Sequence, residues 1–141
     1  MVVAIALALG SWLLRSPRLP LLAHKAAYER SLAAPLLTIE QSLRFYEEGT
    51  HLFVDTRPLA GDDETRIPGS LNITAPNFQD DLRAVADFIF PEDALVLYGT
   101  DNVAEVSNVA ARFQERGYEN LSIMMGGIEA WQQAGGPVTG P

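Results

Sequence analysis

The sequence predicts a small three-layer α/β domain built on a mainly parallel sheet. Three observations carry this. Apolar runs of strand length alternate with helical patterns from residue 38 onward. The run Leu95 to Tyr98 stops at Gly99 and feeds a helix through a short polar loop. Leu121 to Met125 is almost continuously apolar, as expected of a parallel strand covered on both faces. Alternation of strands and helices implies crossover connections and a parallel sheet.

The 141 residues suffice for one domain with an ordinary core. Charge is unevenly spread. Arg15, Arg18, Lys25 and Arg30 against Glu29 give residues 1–34 a charge of +3; six basic and 17 acidic residues give residues 35–141 a charge of −11, together the −8 of the chain. So acidic a globular part is a poor candidate for binding nucleic acid or anionic lipid surfaces. The chain has no cysteine, which excludes disulfides, Cys-ligated zinc and thiolate catalysis. His24 and His51 lie in different segments without ligand-like spacing, and neither a metal nor another cofactor is expected.

Residues 1–14 are apolar apart from Gly10 and Ser11. As a helix they would span roughly 21 Å, short of a hydrocarbon core of about 30 Å. A short membrane anchor, a secretory signal and a buried helix compete. The anchor is favoured, because a signal lacks its positive n-region here. Basic residues after the apolar run favour a cytoplasmic domain if the chain begins at Met1, with the extracytoplasmic side left open. Residues 15–37, with Pro17, Pro20 and Pro35, read as a linker carrying a juxtamembrane helix over Leu21 to Ala34.

The domain is expected over residues 38–137, with 138–141 as a tail. Thr38 and Gln41 form a capping box for a helix closed by Gly49. His51 to Asp55 reads as a buried strand. The stretch Arg57 to Arg66, with Asp62, Asp63 and Glu64, reads as a solvated loop rather than a metal site. Ser70 to Thr74 is a short strand. Asn77 to Phe90 shows Phe78, Leu82, Val85, Ala86 and Ile89 at helical spacing, with Pro91 as the stop. After Leu95 to Tyr98, Asn102 to Arg116 forms the next helix, closed by Gly117. Leu121 to Met125, with Met124 and Met125 as core, leads through Gly126-Gly127 to a last helix holding Trp131.

Five segments in order resemble one family. Phe53-Val54-Asp55-Thr56-Arg57 is similar to the "[LV]-[IV]-D-V-R" start of rhodanese-like domains. Arg66 to Ile73 resembles their "H-I-P-G-A-x-N-I", with Arg66 in place of the histidine. Leu95 to Tyr98 resembles the "V-V-Y" strand, Gly117 to Leu121 the "G-Y-x-N-V" segment, and Gly126 to Trp131 the "G-G-[IW]-x-A-W" signature. The resemblance implies the rhodanese fold and, in the family, sulfur carried as a persulfide on a cysteine that opens the loop after "V-V-Y".

Here that position is Gly99, or Thr100 on a one-residue shift. The loop Gly99, Thr100, Asp101, Asn102, Val103, Ala104 and Glu105 therefore reads as a vestigial active-site loop. Asp101 and Glu105 suit a helix N-terminus as caps and would repel thiosulfate or phosphate. Asp55, Arg57 and Arg66 are candidates for bracing the loop. The expectation is a non-catalytic binding or regulatory module, membrane-tethered, with a protein partner or small ligand at the loop. Two alternatives stand beside it: an enzyme using Thr100 or Ser107 as nucleophile, and a purely structural part of a membrane complex.

Overall fold

The computed structural model describes residues 32–59 and 64–140. The anchor expected at residues 1–14, residues 15–31 of the linker, and Asp62 and Asp63 lie outside these residues. Among the described residues no helix is long and apolar enough to cross a membrane.

Among the described residues nine elements follow in order: β1 (Leu36–Leu37), α1 (Ile39–Glu48), β2 (Leu52–Asp55), β3 (Leu71–Asn72), α2 (Phe78–Ala84), β4 (Leu95–Tyr98), α3 (Val103–Glu115), β5 (Leu121–Met124) and α4 (Gly127–Gln133). The five strands form one sheet in the order β1-β5-β4-β2-β3, with every pairing parallel.

Two apolar clusters cover the two faces of the sheet. Val54, Leu95, Leu97 and Ile123 point to the side on which Phe78 of α2 and Val106, Val109, Ala110 and Phe113 of α3 pack. Phe53, Val96, Tyr98 and Met124 point to the other, against Ile128 and Trp131 of α4 and Leu43 and Tyr46 of α1. The alternation along β2 and β4 follows the two-residue period of a strand. Both faces are buried, so β4 reads Leu-Val-Leu-Tyr and is buried at every position.

The capping box at Thr38 forms as expected: Gln41 N–H donates to Thr38 Oγ1, and Thr38 N–H donates to Gln41 Oε1. Gly49 ends the helix in the left-handed conformation.

Three expectations are corrected. Leu36–Leu37, read within the linker, is an edge strand: Ile123 N–H donates to Pro35 O and Met125 N–H to Leu37 O. The helix expected over Asn77 to Phe90 ends at Ala84, and the chain continues through turns in which Val85, Ala86 and Phe88 donate to carbonyls three residues back. Those turns bury Ile89 and leave Phe88 and Phe90 exposed. Met125, expected in the core, is 44% exposed because β5 ends at Met124.

Candidate functional site

The loop from Gly99 to Asn102 lies at the carboxyl end of β4, the central strand of the sheet. This is where open α/β sheets place ligands. Its neighbours are the end of β2, which supplies Asp55, Thr56 and Arg57, and the N-terminus of α4.

Gly99 is buried. A Cβ at this position would lie 2.7 Å from Thr56 Oγ1 and 3.3 Å from Val106 Cγ2. Thr56 is held there, since its hydroxyl donates to Tyr98 O at 3.0 Å and its amide donates to the same carbonyl at 2.9 Å. On the other side Ile128 N–H donates to Gly99 O at 3.0 Å. A Cβ on Gly127 would approach Gly99 O to 2.5 Å. Gly99 is thus held by the Ile128 amide on one side and packed against the Thr56 and Val106 side chains on the other, so that a side chain here would force a neighbour to shift.

Three of the loop's amides have internal partners. Asn102 N–H donates to Thr100 Oγ1 at 3.2 Å, Ala104 N–H to Asn102 Oδ1 at 3.2 Å, and Glu105 N–H to Asn102 O at 3.2 Å. Asn102 is therefore the N-cap of α3. The capping role expected of Asp101 and Glu105 falls to Asn102; both carboxylates are exposed, with Glu105 in the first turn. These three amides are thereby committed to the helix start.

Asp55 and Arg57 come together as a pair. Arg57 Nε and Nη2 donate to the two oxygens of the fully buried Asp55 at 3.1 and 2.7 Å, and Arg57 N–H donates to Asp55 Oδ1 at 3.0 Å. Arg57 Nη2 also donates to Thr65 O at 2.7 Å, and Glu64 stands 3.9 Å from Nη1. The hydrogen bond to Asp55 raises the guanidinium pKa further despite partial burial. Arg66 forms an antiparallel bridge with Thr139.

Of the two candidate hydroxyls, Thr100 is exposed and accepts from Asn102 N–H. Ser107 is 8% exposed and accepts from Ala33 N–H at 2.8 Å. Both are engaged with backbone amides. His51 sits at the opposite end of the sheet, before β2, stacked on Phe45 with ring centroids 4.0 Å apart. Among the described residues no group of acids and histidines could hold a metal.

Three features were not read from the sequence. Thr56 closes the Gly99 position, although a hydroxyl residue just after a strand end was a visible signal. Tyr98 lies fully buried; its hydroxyl accepts from Ile67 N–H at 3.1 Å and donates to Ser70 at 2.9 Å, tying β4 to the turn before β3. Burial, with Asp55 nearby, pushes its phenol pKa well above the ordinary value. The third is a groove of ≈ 210 Å³ beside the loop, between Pro58, Pro76 and Val109. A second depression of ≈ 260 Å³ lies on the far side of Thr100, towards Ile128 and Glu129.

The family model of the rhodanese-like domain matches residues 38–134. The chain belongs to the rhodanese-like domain family. Among solved structures, a Bacillus halodurans protein is 21% identical with a TM-score of 0.65, covering 86% of each chain. A rhodanese-like domain from Anabaena sp. is 20% identical with a TM-score of 0.63, covering 76% of this chain and 80% of that one. The protein EanB, in a complex with ergothioneine covalently linked to a persulfide cysteine, is 26% identical with a TM-score of 0.63; the match covers 76% of this chain and 28% of EanB. No curated protein matches. This rhodanese-like domain, by contrast, has no cysteine on which a persulfide could form.

Proposed function

We propose that this rhodanese-like domain is a non-catalytic binding or regulatory module whose recognition surface is the Gly99–Glu105 loop, tethered to a membrane through residues 1–14. The observation that carries the reading is the closure of the nucleophile position: Gly99 is buried against Thr56 Oγ1, which leaves 2.7 Å to a Cβ. Commitment of three loop amides to Thr100 and Asn102 supports it further. A persulfide anion needs free amides and a thiolate; the loop offers exposed carboxylates at Asp101 and Glu105 instead. A pinned backbone with solvent-facing side chains suits recognition, because little order has to be gained on binding.

The test uses the full chain expressed in its native membranes. Sulfur transfer from thiosulfate to cyanide should be absent. Partner proteins retained by the wild type should be lost from an Asp101→Asn, Glu105→Gln double variant. Retention unchanged by that variant would remove the loop as the binding surface.

A further inference from the structure

We infer that the groove between Pro58, Pro76 and Val109 receives a lysine or arginine side chain of a partner protein, with its alkyl stem along the floor and its charge at Glu105. The inference rests on the binding-module reading and specifies the ligand of that surface.

Size comes first. At ≈ 210 Å³ the groove is smaller than the roughly 300–1,000 Å³ of small-molecule and cofactor sites, and matches one long side chain. Its walls come next. Pro58, Ala75, Pro76, Val106 and Val109 give a largely apolar lining, which suits the methylene stem of a long cationic residue.

Charge then selects the sign. Arg57 borders the groove, but its guanidinium is held in two hydrogen bonds by Asp55, with Glu64 close by. Its charge is therefore balanced within the protein. Glu105 stands exposed on the rim, and Asp101 is exposed in the same loop. Among the described residues no ion pair joins either of them to a cation. An anion would meet these carboxylates without the amides of Asn102, Ala104 and Glu105, which are already bonded. The net negative charge of the domain favours a cationic over an anionic ligand.

The experiment uses the ¹⁵N-labelled full chain and three acetylated, amidated pentapeptides, Ala-Ala-X-Ala-Ala, with X as lysine, norleucine or glutamate. Amide shifts are followed at low and high salt. The lysine peptide should move the amides of Thr100, Glu105 and Val106. It should bind about two- to fivefold more tightly than the norleucine peptide, the range of an exposed ion pair, and this preference should shrink at high salt. The glutamate peptide should bind weakest. Glu105→Gln, at an exposed position, should erase the preference for lysine over norleucine while the spectrum reports an intact fold. Equal binding of the three peptides, tightest binding of glutamate, a preference untouched by Glu105→Gln, or no movement of these amides would each overturn the inference. If the cation preference fails while sulfur transfer stays absent and partner retention still depends on the loop, only the ligand assignment falls. Sulfur transfer by the wild type would bring down the binding-module reading itself.

Discussion

Gly99 and Thr56 are packed so closely that a methyl group on the glycine would stand 2.7 Å from the threonine hydroxyl oxygen. Thr56 cannot easily withdraw, because its hydroxyl is bonded to Tyr98 O. The space beside Gly99 is therefore closed by a neighbour rather than left as a hole.

Gly99→Ala should destabilise the domain by about 1–3 kcal/mol, the ordinary range for overpacking. Thr56→Ala alone should cost about 1 kcal/mol for its hydrogen bond. The double variant should cost less than the sum, by at least about 0.5 kcal/mol, since the second substitution removes the clash of the first. Urea unfolding of the four proteins checks this; strict additivity would mean that Thr56 is not what closes the site.

Gly127 and Gly49 have the same positive φ of 66° but different surroundings. Nothing lies within 4 Å of a Cβ on Gly49, whereas a Cβ on Gly127 would meet Gly99 O at 2.5 Å. Gly49→Ala should cost about 1–2 kcal/mol, the conformational term alone. Gly127→Ala should cost at least about 1 kcal/mol more and should weaken hydrogen-exchange protection of the Ile128 amide, which donates to Gly99 O. Equal costs would show that the loop is not braced by α4.

The Asp55–Arg57 pair joins the end of β2 to the segment carrying Glu64 and Thr65. Arg57→Ala leaves a fully buried carboxylate without its main partner, and should cost about 3–5 kcal/mol. Arg57→Lys keeps the charge but loses the two-point contact, and should recover only part of that loss. Thermal and urea unfolding read both. Full recovery by lysine would mean that charge, not geometry, holds the segment.

Much of this architecture was legible in particular residues. Thr38, Gln41 and Gly49 bracket α1 because capping chemistry is local, and Gly126-Gly127 marks a turn that approaches other backbone. Non-local packing was not legible. Leu36–Leu37 is too short to show a strand period, and it becomes a strand only because β5 offers an edge. The spacing of Val85, Ala86 and Ile89 suits a helix, but the chain turns after Ala84 to bring Ile89 under the sheet, and Asp93 caps Phe90 N–H. In the site, the absence of a cysteine is plain from the sequence. The closure by Thr56 and the role of Asn102 as cap depend on distances between segments that no single stretch displays.

His51 offers a pH test away from the loop. Burial against Phe45 lowers its pKa below the ordinary 6.5, only partly offset by Glu48. The folded state then binds this proton more weakly than the unfolded state. The stabilising contribution is present above pH 6.5 and is lost as pH falls from there to the folded pKa. Subtracting the stability profile of His51→Gln from that of the wild type should leave a difference that declines with acidification below 6.5. A difference independent of pH would place the imidazole in solvent.

The most direct measurement is the rate of thiocyanate formation from thiosulfate and cyanide by the purified full chain, read across a series of protein concentrations. With Gly99 closed by Thr56 and no cysteine in the chain, the rate should equal that of buffer at every concentration. A rate rising in proportion to protein would contradict the account, because it would require a sulfur-carrying group that a binding module at Gly99–Glu105 does not have.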